Sequence, residues 1–487
     1  MNHNQAASWV ERLKEARILV VGDVMLDRFV HGSIDRISPE APVSILRSES
    51  TSLALGGAGN VVRNLSALGC RTSFVTIAGR DAAAAEVKRL LGELPGLEWA
   101  LFQEDQRPTT EKTRFIADRQ QLLRVDSESC RPLQSNSCEQ VLRHVSSQIE
   151  GCDAVLLSDY AKGVLSEAVL EGVLEAARRQ GCTVLVDPKG HDYSRYRGAG
   201  ILTPNLKELG LATVGEALCD DEQVIEAARL LIESCALQAV LVTRGADGMS
   251  LVESSGRTTR LKAQAREVFD VSGAGDTVIA VMAAAIASGA PLPQAAELSN
   301  LAAGIVVGKV GTAVTRADDL LQALHQRDLG RAEAKVLSRQ QAREQMEIWR
   351  RQGRSAGFTN GVFDLLHPGH LAVLRRASEE CDRLIVGLNG DASVHLLKGS
   401  GPVQNEATRS TILASLEMVD AVVVFQEETP LPLLEALQPD ALIKGANYRL
   451  DEVVGGDLVR SWGGRVVLAQ IQDNPSAAIA ELTEGTF

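Results

Sequence analysis

Asp270–Thr277, which reads DVSGAGDT, combines two glycines with an aspartate that can move a proton. An apolar helix is predicted to follow it, so the backbone N–H groups of Gly273, Ala274 and Gly275 would open that helix. Such N–H groups can hold the negative charge that grows on a phosphoryl group during transfer. Asp276, at the mouth of this anion hole, is placed to take the proton of a substrate hydroxyl. The stretch predicts phosphotransfer, and a plain turn before a helix is the alternative.

A second stretch, Phe358–His370 (FTNGVFDLLHPGH), places His367 and His370 three residues apart at the predicted start of another helix. Two imidazoles beside exposed N–H groups can stabilise a pentacoordinate α-phosphate through hydrogen bonds and partial positive charge. No cysteine or carboxylate completes a zinc ligand set at a useful spacing. A pair of structural surface histidines is the alternative.

Short apolar runs alternate with helical patterns along most of the chain. This alternation predicts parallel sheets covered by helices, with ligands beyond the carboxyl ends of the strands. The predicted fold class is α/β with two doubly wound domains, residues 1–320 and 353–487. Residues 321–352 are polar and helical in pattern, without a strand, and are predicted to connect the two domains.

Composition excludes several other classes of protein. The 487 residues are too many for one core, and 45% of them are hydrophobic, as in ordinary globular proteins. The formal net charge of -13 argues against nucleic-acid binding. The eight cysteines form no C-x-x-C pair, and no stretch approaches the length of a membrane span. A cytoplasmic protein without a membrane or nucleic-acid partner is expected.

Three further stretches support the kinase prediction: Gly56–Asn60 (GGAGN), Thr203–Glu208 (TPNLKE) and Thr243–Gly245 (TRG). With DVSGAGDT, they make roughly residues 16–320 resemble the ribokinase-like carbohydrate kinases.

The resemblance implies roles for individual residues. Asp276 would be the catalytic base, and Gly273, Ala274 and Gly275 the anion hole. Glu208 would hold Mg²⁺ through water, with no direct protein ligand to the metal. ATP would be bound by Asn205, Leu206, Lys207, Glu208, Thr243, Arg244 and Gly245. Asp27, Gly57 and Asn60 would hold sugar hydroxyls. Apart from the resemblance, Lys112, Arg114 and Lys189 are also predicted to bind the sugar phosphate. Asp27 has a turn residue as its alternative.

Thr109–Asp126 breaks the α/β rhythm, because it alternates like a β-hairpin and carries Lys112, Arg114, Arg119 and Arg124. A small β lid over an anionic substrate and a solvated edge ribbon are both compatible with this pattern.

The second half carries cations at the ends of predicted elements, where they can hold nucleotide phosphates: Lys398, Arg409 and Lys444. With H-x-G-H, they make roughly residues 354–487 resemble the cytidylyltransferase-like nucleotidyltransferases. That family joins a nucleoside monophosphate to a phosphorylated acceptor and releases pyrophosphate.

The second half also departs from that family's pattern. Asn447 replaces an aspartate, and the helix start near Ser476 keeps this serine but has Ala477 and Ala478 in place of two hydroxyl residues. The opening strand, Ser355–Phe358 (SAGF), is poor in β-branched residues. Ser476 is still predicted to bind nucleotide. A silent nucleotide-binding domain, serving as a sensor or dimerisation module, is the alternative to an active one.

Both domains in this order resemble the bifunctional heptose kinase/adenylyltransferases of bacterial lipopolysaccharide synthesis. The stretches that carry this likeness are Arg36–Val43, Leu157–Gly163, Val186–Gly190 and Gly361–His370. It implies ATP-dependent phosphorylation of D-glycero-β-D-manno-heptose 7-phosphate at O1, giving the 1,7-bisphosphate. After a separate phosphatase has acted, adenylyl transfer to heptose 1-phosphate would give ADP-heptose and pyrophosphate. A kinase for another phosphosugar is the alternative, and a homodimer stays open.

Overall fold

The computed structural model describes residues 3–117, 120–264, 270–309, 313–445, 449 and 453–469. The chain divides into two compact units, Met1–Leu324 and His325–Phe487. Each unit has its own buried apolar clusters.

Strands and helices alternate through most of the first unit. Its strands are β1 (Arg17–Gly22), β2 (Val24–Ile37), β3 (Ser44–Gly57), β4 (Arg71–Ala78), β5 (Leu97–Gln103), β6 (Glu111–Ala117), β7 (Gln120–Ser127), β8 (Ala154–Ser158), β9 (Thr183–Asp187), β10 (Ile201–Leu202), β11 (Ala239–Thr243), β12 (Met249–Glu253) and β13 (Thr258–Leu261). Its helices are α1 (His3–Arg12), α2 (Ala58–Ala67), α3 (Ala82–Gly92), α4 (Ser135–Gln148), α5 (Glu167–Gln180), α6 (Leu206–Thr213), α7 (Asp221–Cys235), α8 (Ala274–Ala287), α9 (Leu292–Val307) and α10 (Ala317–Glu333), which runs past the boundary.

The second unit continues the numbering. Its strands are β14 (Val336–Leu337), β15 (Ala356–Gly361), β16 (Arg383–Asn389), β17 (Ala421–Phe425), β18 (Ala441–Gly445) and β19 (Arg465–Ala469). Its helices are α11 (Arg339–Arg351), α12 (Pro368–Glu379), α13 (Asp391–Lys398), α14 (Glu406–Ala414), α15 (Leu431–Leu437) and α16 (Gly456–Ser461).

The main sheet of the first unit has nine strands in the order β13-β12-β11-β10-β9-β8-β1-β4-β5. From β11 to β5 all pairs are parallel, and β12 and β13 add antiparallel strands at one edge. Its central strands are apolar runs because helices cover both faces of such a sheet. The chain passes from β1 to β4 on one side and later to β8 on the other. Ligands bind at the carboxyl ends of the strands where the order reverses in this way.

A separate sheet in the first unit has the order β3-β2-β6-β7. The predicted hairpin in Thr109–Asp126 is present, because β6 and β7 pair in antiparallel fashion. Arg119 lies outside the described residues. Every residue of β7 is exposed.

The second unit is built on a six-stranded sheet in the order β14-β17-β16-β15-β18-β19, with every pair parallel. The strand order reverses at β15, because β16 lies on one side and β18 on the other. The α/β class with two doubly wound domains and a small β lid sheet is thereby confirmed.

The connector predicted over residues 321–352 needs correction. β14 pairs with β17, which makes it an edge strand of the second sheet. Helix α11 buries Ala342, Met346 and Trp349 in the core of the second unit. Their spacing puts all three on one face of the helix, and that apolar face requires a core to cover it. Residues 336–351 are therefore part of the second unit.

Candidate active sites

Asp276 lies in the first turn of α8, where the sequence placed the catalytic base. Gly273 precedes the helix with φ of 77°, in the left-handed region that favours glycine. A Cβ at Gly273 would come within 2.6 Å of the Asn60 side-chain nitrogen. The close approach lets Asn60 reach the helix start, and Ala274 and Gly275 open α8 as predicted.

Both oxygens of the Asp276 carboxylate accept a hydrogen bond. Tyr160 Oη donates to Oδ1 at 2.6 Å, and Asn60 Nδ2 donates to Oδ2 at 2.8 Å. Burial raises the Asp276 pKa to about 6, although the two donors oppose this shift. At neutral pH the carboxylate is therefore mostly ionised and able to accept a proton.

The predicted sugar ligands lie around this base. Helix α2 begins directly after Gly57, whose φ is 57°, and Asn60 lies in its first turn. Asp27 on β2 is close enough to raise the pKa of Asp276 electrostatically. Arg63 donates to Asn60 Oδ1 at 3.1 Å and interacts with both aspartates. The structure thus brings Asp27, Asn60 and Asp276 together.

The two lid cations predicted to bind substrate phosphate are paired with carboxylates. Arg114 contacts Asp27 at 2.6 Å. Lys112 contacts Asp126 at 3.0 Å and Glu128 at 3.4 Å. A phosphate would have to replace these partners, so the roles of both cations stay predictions.

The stretch TPNLKE lies at the carboxyl end of β10. Asn205 and Glu208 form a capping box at the start of α6, and Leu206 and Lys207 are the first two residues of that helix. Lys189, predicted among the sugar ligands, instead contacts Glu208 at 2.8 Å. It therefore groups with the predicted nucleotide residues.

The stretch TRG ends β11 beside TPNLKE, because Thr243 forms a β-bridge with Asn205. Gly245 opens a short 3-10 turn. The Arg244 guanidinium contacts Asp221 at 2.5 Å and Ser250 at 3.2 Å. Thr243 and Gly245 are thus placed beside the predicted phosphate residues, whereas the Arg244 side chain has partners within the protein.

In the second unit, the histidine pair lies at the start of α12 as predicted. His367 is the N-cap residue, and its Nδ1 accepts from the Gly369 N–H at 3.2 Å. The His367 and His370 rings stack with 3.9 Å between centroids, and Phe363 lies 5.2 Å from His370. Both imidazoles therefore lie beside a helix N-terminus that favours anions.

Burial, followed by the neighbouring His367, lowers the pKa of His370 to about 4. Its Nδ1 is buried without a hydrogen-bond partner in the part of the chain that the structure describes. The partial positive charge expected from the sequence is therefore not available at His370 at neutral pH. A neutral imidazole can still donate one hydrogen bond.

Two of the predicted cations lie near this histidine pair or at the same sheet edge. Lys398, the last residue of α13, acts electrostatically on His370. Lys444 on β18 contacts Asn360 Oδ1 on β15 at 2.6 Å, and burial lowers the Lys444 pKa to about 8. Both strands end where the sheet order reverses, which is the expected ligand edge.

Arg409 does not have the exposed guanidinium that a phosphate ligand needs. Its side chain is fully buried. Its partners are the carbonyl oxygens of Val362 at 2.7 Å, Asn389 at 2.8 Å and Gln404 at 2.9 Å, and the Asp391 carboxylate at 2.6 Å. We correct its role to holding together the loops around the histidines. Asn447, Ser476, Ala477 and Ala478 lie outside the described residues.

Sequence reasoning did not assign Tyr160, Arg63 or Asn360. Tyr160 lies in LSDYAKG, directly after buried strand β8, and Asn360 lies near the end of β15. A polar residue at the carboxyl end of a buried parallel strand is the signal that could have found both. Nothing comparable marks Arg63, which lies within α2.

No helix among the described residues is both long enough and apolar enough to cross a membrane.

Comparison with known proteins agrees with this division into two sites. The pfkB family carbohydrate kinase model matches residues 15–319, and the cytidylyltransferase-like model matches residues 358–463. Phosphofructokinase-2 from Escherichia coli superposes with a TM-score of 0.55 at 20% identity, over 64% of this chain and 99% of that one. This likeness shows the kinase fold alone.

Two curated relatives match almost the full chain, and both are named bifunctional protein HldE. The one from Paramagnetospirillum magneticum is 54% identical over 96% of each chain. The one from Rhodospirillum rubrum is 51% identical over 99% of this chain and 97% of its own. The chain is a bifunctional enzyme, a carbohydrate kinase joined to a nucleotidyltransferase, and ATP is its substrate. The chain therefore belongs to the family of bifunctional HldE proteins, the heptose kinase/adenylyltransferases that its motifs predict.

Proposed function

We propose that this enzyme carries out two steps of ADP-heptose synthesis. The first unit phosphorylates D-glycero-β-D-manno-heptose 7-phosphate at O1. The second unit transfers AMP from ATP to heptose 1-phosphate, giving ADP-heptose and pyrophosphate. The observation that carries the kinase assignment is the buried Asp276 carboxylate at the start of α8, with Asn60 and Asp27 beside it.

In the kinase step, Asp276 accepts the proton of the O1 hydroxyl while O1 attacks the γ-phosphorus of ATP. The bond from that phosphorus to the bridging oxygen breaks, and ADP leaves with its electron pair. The N–H groups of Gly273, Ala274 and Gly275 bind the oxygens that carry charge during transfer. Negative charge at a helix N-terminus is also favoured by the helix dipole.

The ion pair between Asp27 and Arg114 suits a substrate that bears both hydroxyls and a phosphate. Sugar hydroxyls can donate to Asp27, and a phosphate can replace Asp27 as the partner of Arg114. A sugar without a phosphate would leave the half-buried Arg114 without its carboxylate partner, which is unfavourable. This exchange explains how the site would select a phosphosugar.

The oxygen ligands at the carboxyl ends of β9 and β10 fit Mg²⁺. Asp187 is partly buried, and its pKa is raised by burial and by the nearby Asp276 and Glu208 carboxylates. Mg²⁺ keeps several waters and uses one or two carboxylates together with substrate phosphates. Glu208 would hold the ion through water, and the ion would neutralise charge on the ATP phosphates. Lys189 contacts the same carboxylate and would lie beside those phosphates.

In the second unit, a phosphate oxygen of heptose 1-phosphate attacks the α-phosphorus of ATP, and pyrophosphate leaves. His367 and His370 donate hydrogen bonds to α-phosphate oxygens, whose charge grows in the transition state. Lys398 and Lys444 would bind the leaving pyrophosphate. We place both reactions in the cytoplasm, and assembly into a homodimer remains a prediction.

The test uses the purified full chain with ATP and heptose 7-phosphate. We expect ADP and the 1,7-bisphosphate without phosphatase, and ADP-heptose with pyrophosphate once the phosphatase is added. Asp276→Asn should reduce kinase turnover by roughly 10²–10⁴-fold, with ATP binding kept, because the amide cannot accept the proton. Pyrophosphate release from added heptose 1-phosphate should be unchanged in this variant.

Two results would contradict the proposal in different ways. Faster turnover of fructose 6-phosphate than of heptose 7-phosphate would reject the substrate while keeping the kinase. Absence of pyrophosphate from ATP and heptose 1-phosphate would reject the adenylyltransferase and favour a silent nucleotide-binding domain.

A further inference from the structure

We propose that Tyr160 is a positioning residue of the kinase, whose hydroxyl orients the Asp276 carboxylate and keeps it in the ionised form that accepts a proton. The inference rests on the proposed function only in taking Asp276 as the base.

The geometry fixes the plane of the carboxylate. Tyr160 Oη donates to one oxygen at 2.6 Å, and Asn60 Nδ2 donates to the other at 2.8 Å. With a donor on each oxygen, the side chain cannot rotate without breaking a hydrogen bond. A carboxylate has about four acceptor positions, so a substrate hydroxyl can still bind to Asp276.

The loop that carries Tyr160 is itself anchored to the central strand. Asp23, directly after β1, is buried and accepts the N–H groups of Tyr160, Lys162 and Val164, each at 3.0 Å. Asp159 adds a bond from the Ala161 N–H at 2.7 Å. The phenol is therefore held in place before substrate binds, as a rigid supporting shell requires.

Charge around Asp276 makes such a donor necessary. Its pKa is raised to about 6, chiefly by burial and also by Asp27 on β2, whereas Arg63 on α2 opposes both effects. Asp187 on β9 is also within electrostatic range. Burial and Asp276 raise the Tyr160 pKa well above its usual value, so this hydroxyl keeps its proton. Loss of the donor would therefore make Asp276 harder to ionise.

The test measures kinase kcat/KM against pH for the full chain carrying Tyr160→Phe. The acidic limb should move to higher pH by about one unit, which is roughly a tenfold change in proton affinity. Tyr193→Phe is the matched control, because Tyr193 is buried and its hydroxyl has no hydrogen-bond partner among the described residues. The acidic limb of the Tyr193→Phe profile should lie at the same pH as that of the unmodified enzyme.

A second substitution tests the proposal even if the Tyr160→Phe variant folds poorly. 3-Fluorotyrosine at position 160 keeps the shape and is a stronger donor, so the limb should move to lower pH. An unmoved limb in both Tyr160 variants, or an equal shift in Tyr193→Phe, overturns the proposal. Asp276→Asn separates this failure from failure of the base assignment, since an active Asp276→Asn enzyme would reject the base itself.

Discussion

Burial has opposite consequences at the two proposed active sites. Asp276 in the first unit is buried and His370 in the second is partly buried, and burial favours the neutral form of each. The proton-acceptor role proposed for Asp276 requires its ionised form, so burial opposes that role, and Tyr160 and Asn60 donate to the carboxylate. A histidine that donates a hydrogen bond can act while neutral, and burial leaves His370 in that form. The kinase site therefore needs supporting donors that the histidine site does not.

The two units also differ in which segments complete the packing around their sheets. The first unit places its large sheet between two buried clusters of its own. The second unit depends on β14 and α11, which precede the match to the cytidylyltransferase-like family. A boundary chosen from the family match alone would therefore remove part of its core.

Truncation should have the largest effect. We expect the fragment His325–Phe487 to fold and to keep adenylyl transfer. The shorter fragment Gly353–Phe487 should lose its stable fold and its adenylyl transfer. The shorter fragment lacks Met346 and Trp349, and burial of such side chains contributes roughly 2–5 kcal/mol each. That is a large part of the roughly 5–15 kcal/mol that stabilises a typical domain. Circular dichroism and pyrophosphate release on both fragments check the prediction.

The matching fragment of the first unit provides the control. Met1–Leu324 contains the nine-stranded sheet, the lid sheet and Asp276, so it should phosphorylate heptose 7-phosphate on its own. Equal stability of the two C-terminal fragments would show that β14 and α11 are dispensable.

Loss of a histidine should have the next largest effect. His370→Ala or His367→Ala should slow adenylyl transfer by roughly a hundredfold, because each removes one donor to the transition state. Kinase turnover should be unchanged. His395→Ala, which removes an exposed histidine of α13 in the same unit, should leave both rates unchanged. Steady-state assays of both reactions on each variant decide this. If adenylyl transfer falls only a few-fold in both histidine variants, Lys398 and Lys444 are the main predicted groups for this reaction.

The sequence predicted both sites where the active residues lie close together along the chain. DVSGAGDT and H-x-G-H each combine a helix start with the side chain proposed to act there, so local spacing is enough to predict both. Tyr160 and Asn60 are far from Asp276 in the sequence, and only the sheet order and the approach over Gly273 bring them together.

Burial explains one error and one strand that its composition favoured little. Arg409 resembled a phosphate ligand because its position at a helix start was visible, whereas its buried carbonyl partners were not. Ser355–Phe358, predicted as the opening strand despite its few β-branched residues, does lie at the start of β15, the strand at which the sheet order reverses. Packing on both faces determines strand formation there more than β-propensity does.

The smallest expected effect is a difference between the two pH profiles. Kinase kcat/KM should fall about tenfold per unit below pH 6, because Asp276 with a pKa of about 6 becomes protonated and can no longer accept the O1 proton. Adenylyl transfer should show no loss from His370 until the pH approaches its pKa of about 4, since the neutral imidazole persists above that value. Both acceptors are phosphomonoesters that titrate near pH 6, and phosphorus NMR of each substrate allows that contribution to be subtracted. Near-ultraviolet circular dichroism at each pH checks that the chain stays folded. If the corrected limb of adenylyl transfer lies at or above that of the kinase, His370 does not act as a neutral donor, and burial does not separate the two sites in the way described.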